Sequence, residues 1–120
     1  MLCSLFGCTA QTIGFRSVEA EEFGRIIADT TQAVTRLDVR TAAEYAEGHI
    51  ANAVNIDVLD GNFESRATGK LPKDKTVAVY CRSGKRSKKA AAILVRNGYS
   101  VVELNSGYMG WTKAGMPTDR

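Results

Sequence analysis

The sequence predicts a single α/β domain, with a mostly parallel central sheet flanked by helices on both faces, and three observations predict it. Strand-like apolar runs alternate with helix-like segments along the chain. The run TVAVYC, residues 76–81, lacks the polar alternation of a half-exposed strand, as suits a central parallel strand covered on both sides. A chain of 120 residues with 44% hydrophobic and 24% charged side chains can close one core without staples. Residues 1–14 read as an N-terminal tail and 15–120 as the domain, with no repeat, low-complexity stretch or interdomain linker.

The elements follow in order. Ser17 can cap a first helix, in which Phe23, Ile26 and Ile27 fall on one face at helical spacing. AVTRLDV, 33–39, reads as a strand. Thr41 with Glu44 three residues on forms a capping box, so TAAEYAEG is a short helix that begins where the strand stops and ends at Gly48. AVNID, 53–57, is a second short strand, and 60–75 a polar connection with room for one helical turn. After TVAVYC and the loop CRSGKRS, residues 81–87, the stretch SKKAAAILVRNG reads as a helix with Ala90, Ala91 and Leu94 inward. Asn97-Gly98 is its stop. YSVVEL, 99–104, is the next strand, and GYMGWTKAG, 107–115, a closing helix or turn.

The net charge of +3 is mild, and much of the excess sits within eight positions: Arg82, Lys85, Arg86, Lys88 and Lys89. A local anion site accounts for that clustering. A nucleic-acid surface would need a basic stripe with interleaved aromatics, which is absent. No apolar run approaches the roughly 18 residues of a membrane span. Three cysteines, at 3, 8 and 81, cannot make a disulfide framework, and CxxxxC without histidine partners is a poor zinc signature. Near the N-terminus, LFGC, residues 5–8, resembles the lipid-attachment box of a bacterial lipoprotein signal. It departs from that pattern at the bulky Phe6 and in lacking a basic n-region and most of the apolar core. Read as such a box, it places the protein at the cell envelope with Cys8 lipid-modified; read as a frayed apolar terminus, it leaves the protein in the cytoplasm.

The chemistry concentrates in CRSGKRS. In open α/β sheets the ligand crevice lies beyond the carboxyl ends of the strands, where Cys81 stands. A loop that turns tightly into a helix N-terminus aims several backbone N–H groups at one point, and the helix dipole reinforces them. Gly84 permits the turn; Arg82, Lys85 and Arg86 add positive potential; Ser83 and Ser87 offer hydroxyls or a cap. All of these favour thiolate over thiol, which makes Cys81 a nucleophile facing an anion cradle. Alone, a cysteine ending a buried strand is often a small core hydrophobe, and the surrounding loop is what argues against that here. SGKRS is no phosphate-binding GK[ST] loop, because Val79 and Arg86 stand where that motif needs Gly and Ser or Thr. Lys88 and Lys89 read as solvated helix surface. His49, the sole histidine, sits between a helix stop and a strand and reads as structural.

Together these stretches resemble the single-domain rhodaneses, a class of sulfurtransferases, from about Ser17 onward. LDVRTAAEYAEGHIANAVNI, CRSGKRS and LNSGYMGWTKAGMP each resemble a segment of that family. Two departures concern turns: Ala51-Asn52 stand where the family has Pro-Gly, and Ser106 replaces the first glycine of a Gly-Gly pair. The resemblance implies that Cys81 attacks a donor such as thiosulfate, holds the sulfur as a persulfide and yields it to a thiol or cyanide. A thioredoxin-like protein is one carrier of an acceptor thiol that the resemblance allows. Residues 82–87 would bind the anionic donor, their amides holding the persulfide charge. Asp38 and Arg40 would support the loop, and Gly107 and Trp111 would line the rim unless Trp111 belongs to the core. The resemblance implies no cofactor or metal, and a monomer.

Two rivals remain at this stage. Cysteine phosphatases of related fold need Cys, five residues, then Arg; here Arg86 follows Cys81 after four, and Ser87 holds the fifth-residue position. The shorter loop encloses a smaller anion cavity, suited to one sulfur. The other rival is a non-catalytic module that carries sulfur on Cys81 or binds a thiol partner.

Overall fold

The structure, a computed structural model, describes residues 14–120. LFGC, Cys3 and Cys8 lie outside the described residues. The elements are β1 (Arg16–Val18), α1 (Ala20–Ala28), β2 (Val34–Asp38), α2 (Ala42–Glu47), β3 (Val54–Asn55), α3 (Phe63–Lys70), β4 (Thr76–Tyr80), α4 (Lys85–Arg96), β5 (Val101–Leu104) and α5 (Gly107–Lys113). The five strands form one sheet in the order β1-β5-β4-β2-β3, and every pairing is parallel.

Strand periodicity sorts the core into two layers. Leu37, Val39, Val77, Val79 and Val101 face α3 and α4, whose Phe63, Ala67, Ala90, Ala91 and Leu94 close over them. Ala78, Tyr80, Val102 and Leu104 face the other way, against Phe23 of α1 and Trp111 of α5. Trp111 is core: it meets Phe23 edge to face, and its indole N–H donates to the Pro117 carbonyl at 2.7 Å. The central strand β4 therefore has apolar neighbours on both faces, which is why its sequence shows no alternation.

Several sequence expectations need correction. Ser17 does not cap a helix; it lies in β1, a strand too short and too polar to read from sequence, and its hydroxyl donates to Glu103 at 2.6 Å. The backbone at the start of α1 is capped at Glu19, without a side-chain bond. The polar connection holds eight residues of helix rather than one turn, anchored by buried Phe63 and Ala67. The strand expected at 53–57 shrinks to Val54–Asn55 at the sheet edge. The helix after the loop starts at Lys85, so Lys85, Arg86 and Ser87 belong to its first turn.

The two turn departures have local explanations. Asn52 takes φ 66°, the left-handed conformation that glycine would supply in the Pro-Gly pattern, and asparagine tolerates it best among residues with a Cβ. Ser106 has φ −87°, where no glycine is needed. Asn52 is exposed, so its substitutions report the backbone cost alone. Asn52→Gly should leave stability nearly unchanged, while Asn52→Val should cost about 1–2 kcal/mol in denaturant unfolding. Equal stability of the two variants would refute the strained-turn account.

Candidate active site

Cys81 directly follows β4 at the carboxyl edge of the sheet, and the chain needs three residues to reach α4. The turn closes at Gly84, whose φ of 101° is left-handed and whose absent Cβ would lie 2.0 Å from the Asn105 carbonyl oxygen. Only glycine fits there on both counts. From that position the Gly84 N–H donates to Cys81 Sγ at 3.1 Å. The sulfur also lies 3.4 Å from the Ser87 hydroxyl. It thus sits at the amino end of a twelve-residue helix, where the helix dipole and free N–H groups favour negative charge.

The other wall is α5. Tyr108 N–H donates to the Cys81 carbonyl at 2.8 Å and Met109 N–H to the Arg82 carbonyl at 3.0 Å, so the first turn of α5 holds the loop by its backbone. Gly107 allows this approach, because a Cβ there would lie 2.3 Å from the Arg82 oxygen. Cys81 is only 1% exposed, so a slim terminal atom can reach the sulfur and a bulky centre cannot.

The cationic residues of the loop divide by partner. Arg82, Ser83 and Lys85 are exposed at the mouth. Arg82 and Met109 border an open groove of about 350 Å³ that continues along Arg40, Glu44 and Tyr108. Arg86, instead of pointing free charge at a donor, makes a two-pronged bond to Glu44 of α2 at 2.8 and 3.0 Å. Those bonds, with help from Thr41 and against the desolvation of partial burial, pull the Glu44 carboxyl from the ordinary 4.5 down to about 2. Glu44 also closes the capping box that starts α2, so one carboxylate ties helix α2 to the active loop. Because the folded value lies below the unfolded one, the stability contributed by this pair is present above about pH 4.5 and fades as pH falls toward 2. The melting temperature of the wild type should fall more steeply across that window than that of Glu44→Gln. Parallel curves would show that the pair contributes nothing, and for a partly exposed pair the difference should stay near 1 kcal/mol.

Asp38 and Arg40 form a buried two-pronged ion pair, with bonds as short as 2.7 Å. The Arg40 guanidinium also donates to the Gly48 carbonyl at 2.7 Å and lies over the Tyr108 ring at 4.3 Å. Its link to the loop therefore runs through Tyr108, whose N–H holds Cys81. His49 stacks on Tyr45 at 3.8 Å and its Nδ1 bonds the Tyr45 carbonyl at 2.9 Å, the contacts of a structural residue.

Lys89 is exposed as expected, and Lys88 is half-exposed but engages partners that a solvated surface lysine would lack. Lys88 Nζ donates to Asn105 Oδ1 at 2.9 Å and to the Gly84 carbonyl and Glu103 at 3.3 Å. Glu103 itself escaped the sequence reading. It is fully buried on β5, on the same sheet face as Val101, and accepts the Ser17 and Ser87 hydroxyls at 2.6 and 2.5 Å. The available signal was one acid inside the apolar run YSVVEL, since an unexposed carboxylate needs partners.

Residues 19–114 match the family model described as the rhodanese-like domain. The chain is 36% identical over 101 residues to a sulfurtransferase of Allochromatium vinosum, covering 83% of this chain and 91% of that protein. It is 39% identical over 71 residues to thiosulfate sulfurtransferase PspE of Escherichia coli, covering 59% of this chain and 67% of that protein. The crystal structure of a rhodanese-related protein from Thermoplasma volcanium superposes with a TM-score of 0.72 at 33% identity, covering 88% of this chain and 98% of that one.

Proposed function

This chain belongs to the family of rhodanese-like domains, and from that premise we propose that it is a sulfurtransferase in which Cys81 carries the sulfur as a persulfide. The relatives named as sulfurtransferases support sulfur transfer in general. The reading of Cys81 as the nucleophile is carried by one observation: Gly84 N–H meets Cys81 Sγ at 3.1 Å at the head of α4. That contact puts positive potential on the sulfur whether it is a thiolate or bonded to a second sulfur.

In the first half-reaction the Cys81 thiolate attacks the outer sulfur of the donor. A new S–S bond forms to Sγ as the bond to the sulfite sulfur breaks, and sulfite leaves with that electron pair. Negative charge moves one atom outward, to the terminal sulfur, where N–H groups at the start of α4 can receive it. Arg82 and Lys85, exposed at the mouth, attract the dianionic donor. In the second half-reaction an acceptor thiolate or cyanide attacks the terminal sulfur, and Sγ regains its electron pair.

The tight site favours this over phosphoryl transfer. A phosphatase reading would ask an arginine to grip the phosphoryl oxygens, and Arg86 is committed to Glu44. The experiment is steady-state turnover with thiosulfate and cyanide, followed as thiocyanate. Parallel lines in a double-reciprocal analysis are expected, as a ping-pong cycle requires. Persulfide loading without turnover would reduce the protein to a sulfur carrier, and hydrolysis of an aryl phosphate in place of thiocyanate formation would overturn the proposal.

A further inference from the structure

A buried carboxylate stands one hydroxyl away from the sulfur, and sulfur transfer as described above does not use it. Cys81 Sγ is 3.4 Å from Ser87 Oγ, and Ser87 Oγ is 2.5 Å from Glu103 Oε2. Cys81 is 1% exposed, and Ser87 and Glu103 are not exposed at all. Ser87 has one proton to donate, and at 2.5 Å that proton is directed to the carboxylate. Its remaining lone pairs can then accept from the Cys81 S–H. The three groups form an oriented chain, S–H to O–H to carboxylate.

We propose that Glu103 is a positioning residue that acts through Ser87 as the internal proton acceptor of Cys81. The S–H bond breaks and leaves its electron pair on sulfur, its proton bonds Ser87 Oγ, and the original Ser87 proton bonds Glu103 Oε2. The product is a thiolate that accepts from Ser87, beside a neutral carboxyl that donates to Ser87. No solvent need reach the buried sulfur. When an acceptor removes the outer sulfur and Sγ regains its electron pair, the same chain returns the proton.

The charges around the chain bear on both forms. Lys88 of α4 lies 3.3 Å from each Glu103 oxygen, and Ser17 of β1 bonds Oε1. Lys88 is itself held by Asn105, whose amide donates to Glu19 ahead of α1 at 2.8 Å. Arg86 is held chiefly by Glu44 of α2, with weaker attraction to Cys81 and to Asp57 beyond β3. Arg82 and Lys85 are exposed at the mouth.

The inference rests on Cys81 as nucleophile, and its test is the rate of Cys81 alkylation by iodoacetamide as a function of pH, which needs no sulfur donor. A pair that shares one proton titrates in two coupled steps, with a plateau of reactivity between them. Glu103→Gln keeps the shape, its amide oxygen accepting from one serine while its NH2 donates to the other, but it cannot take a proton, so it should show a single step and about tenfold slower alkylation across the wild-type plateau. Ser87→Ala leaves Glu103 its Ser17 and Lys88 contacts, severs the relay and should lose the plateau likewise, which covers the case of a Gln variant that fails to fold. A purely structural carboxylate predicts the opposite sign: removing its charge leaves Lys88 unbalanced and should speed alkylation. Equal or faster alkylation in either variant, or a single step in the wild type, overturns the proposal. Normal turnover with such a result refutes the relay alone, whereas a two-step profile in a protein without turnover refutes the sulfur-transfer reading alone.

Discussion

Cys81→Ser should abolish thiocyanate formation, by about 10⁴-fold or more, while the protein folds and melts almost as before. The two halves of that expectation have separate causes. Serine is close to cysteine in shape, can accept from Gly84 N–H and can exchange a hydrogen bond with Ser87, so the change in stability should stay within about 1 kcal/mol. A hydroxyl at that place remains protonated, and an alkoxide is a poor leaving group from a bond to sulfur. Turnover within a factor of ten of the wild type would reject Cys81 as the carrier.

Gly84→Ala should be the most damaging change that leaves every chemical group of the loop in place. The left-handed φ of 101° costs about 1–2 kcal/mol for an alanine, and the new methyl would meet the Asn105 carbonyl, which is backbone and cannot swing aside. Relieving that contact displaces the N–H that points at Sγ, so a loss of about 2–5 kcal/mol in stability should come with at least about a hundredfold loss in kcat/KM. Gly98 supplies the control. Its φ is 90°, but nothing lies within 4 Å of the added Cβ, so Gly98→Ala should pay the backbone strain alone and keep full activity. If both variants lose the same stability and neither loses activity, the close packing of the loop on Asn105 is irrelevant to the site.

How much of this was legible in the sequence depends on the distance over which each feature is determined. The parallel sheet, the α2 capping box and the position of Cys81 depend on local periodicity and on residues three apart, and they were readable. So was Gly84, because a tight strand-to-helix turn demands it. The short strand β1 was not, since its three residues are held by pairing with β5, some 86 positions away, and by one bond from Ser17 to Glu103. The first turn of α4 was read as loop because Lys85 and Arg86 carry no apolar periodicity. The roles of the cations were set by partners that sequence does not place: Arg86 is held by Glu44 across 42 positions and Lys88 by Asn105 across 17. Clustered charge pointed to an anion site at the loop, but it could not say which cations were free to meet a donor.

The central claim is that Cys81 accepts one sulfur atom from a small anionic donor and gives it up to a nucleophile. Intact mass followed by peptide mapping tests it most directly. After treatment with thiosulfate and removal of excess donor, the chain should gain the mass of one sulfur, the gain should map to the peptide containing Cys81, and cyanide should erase it. No gain in mass, or a gain confined to Cys3 or Cys8, would contradict the account.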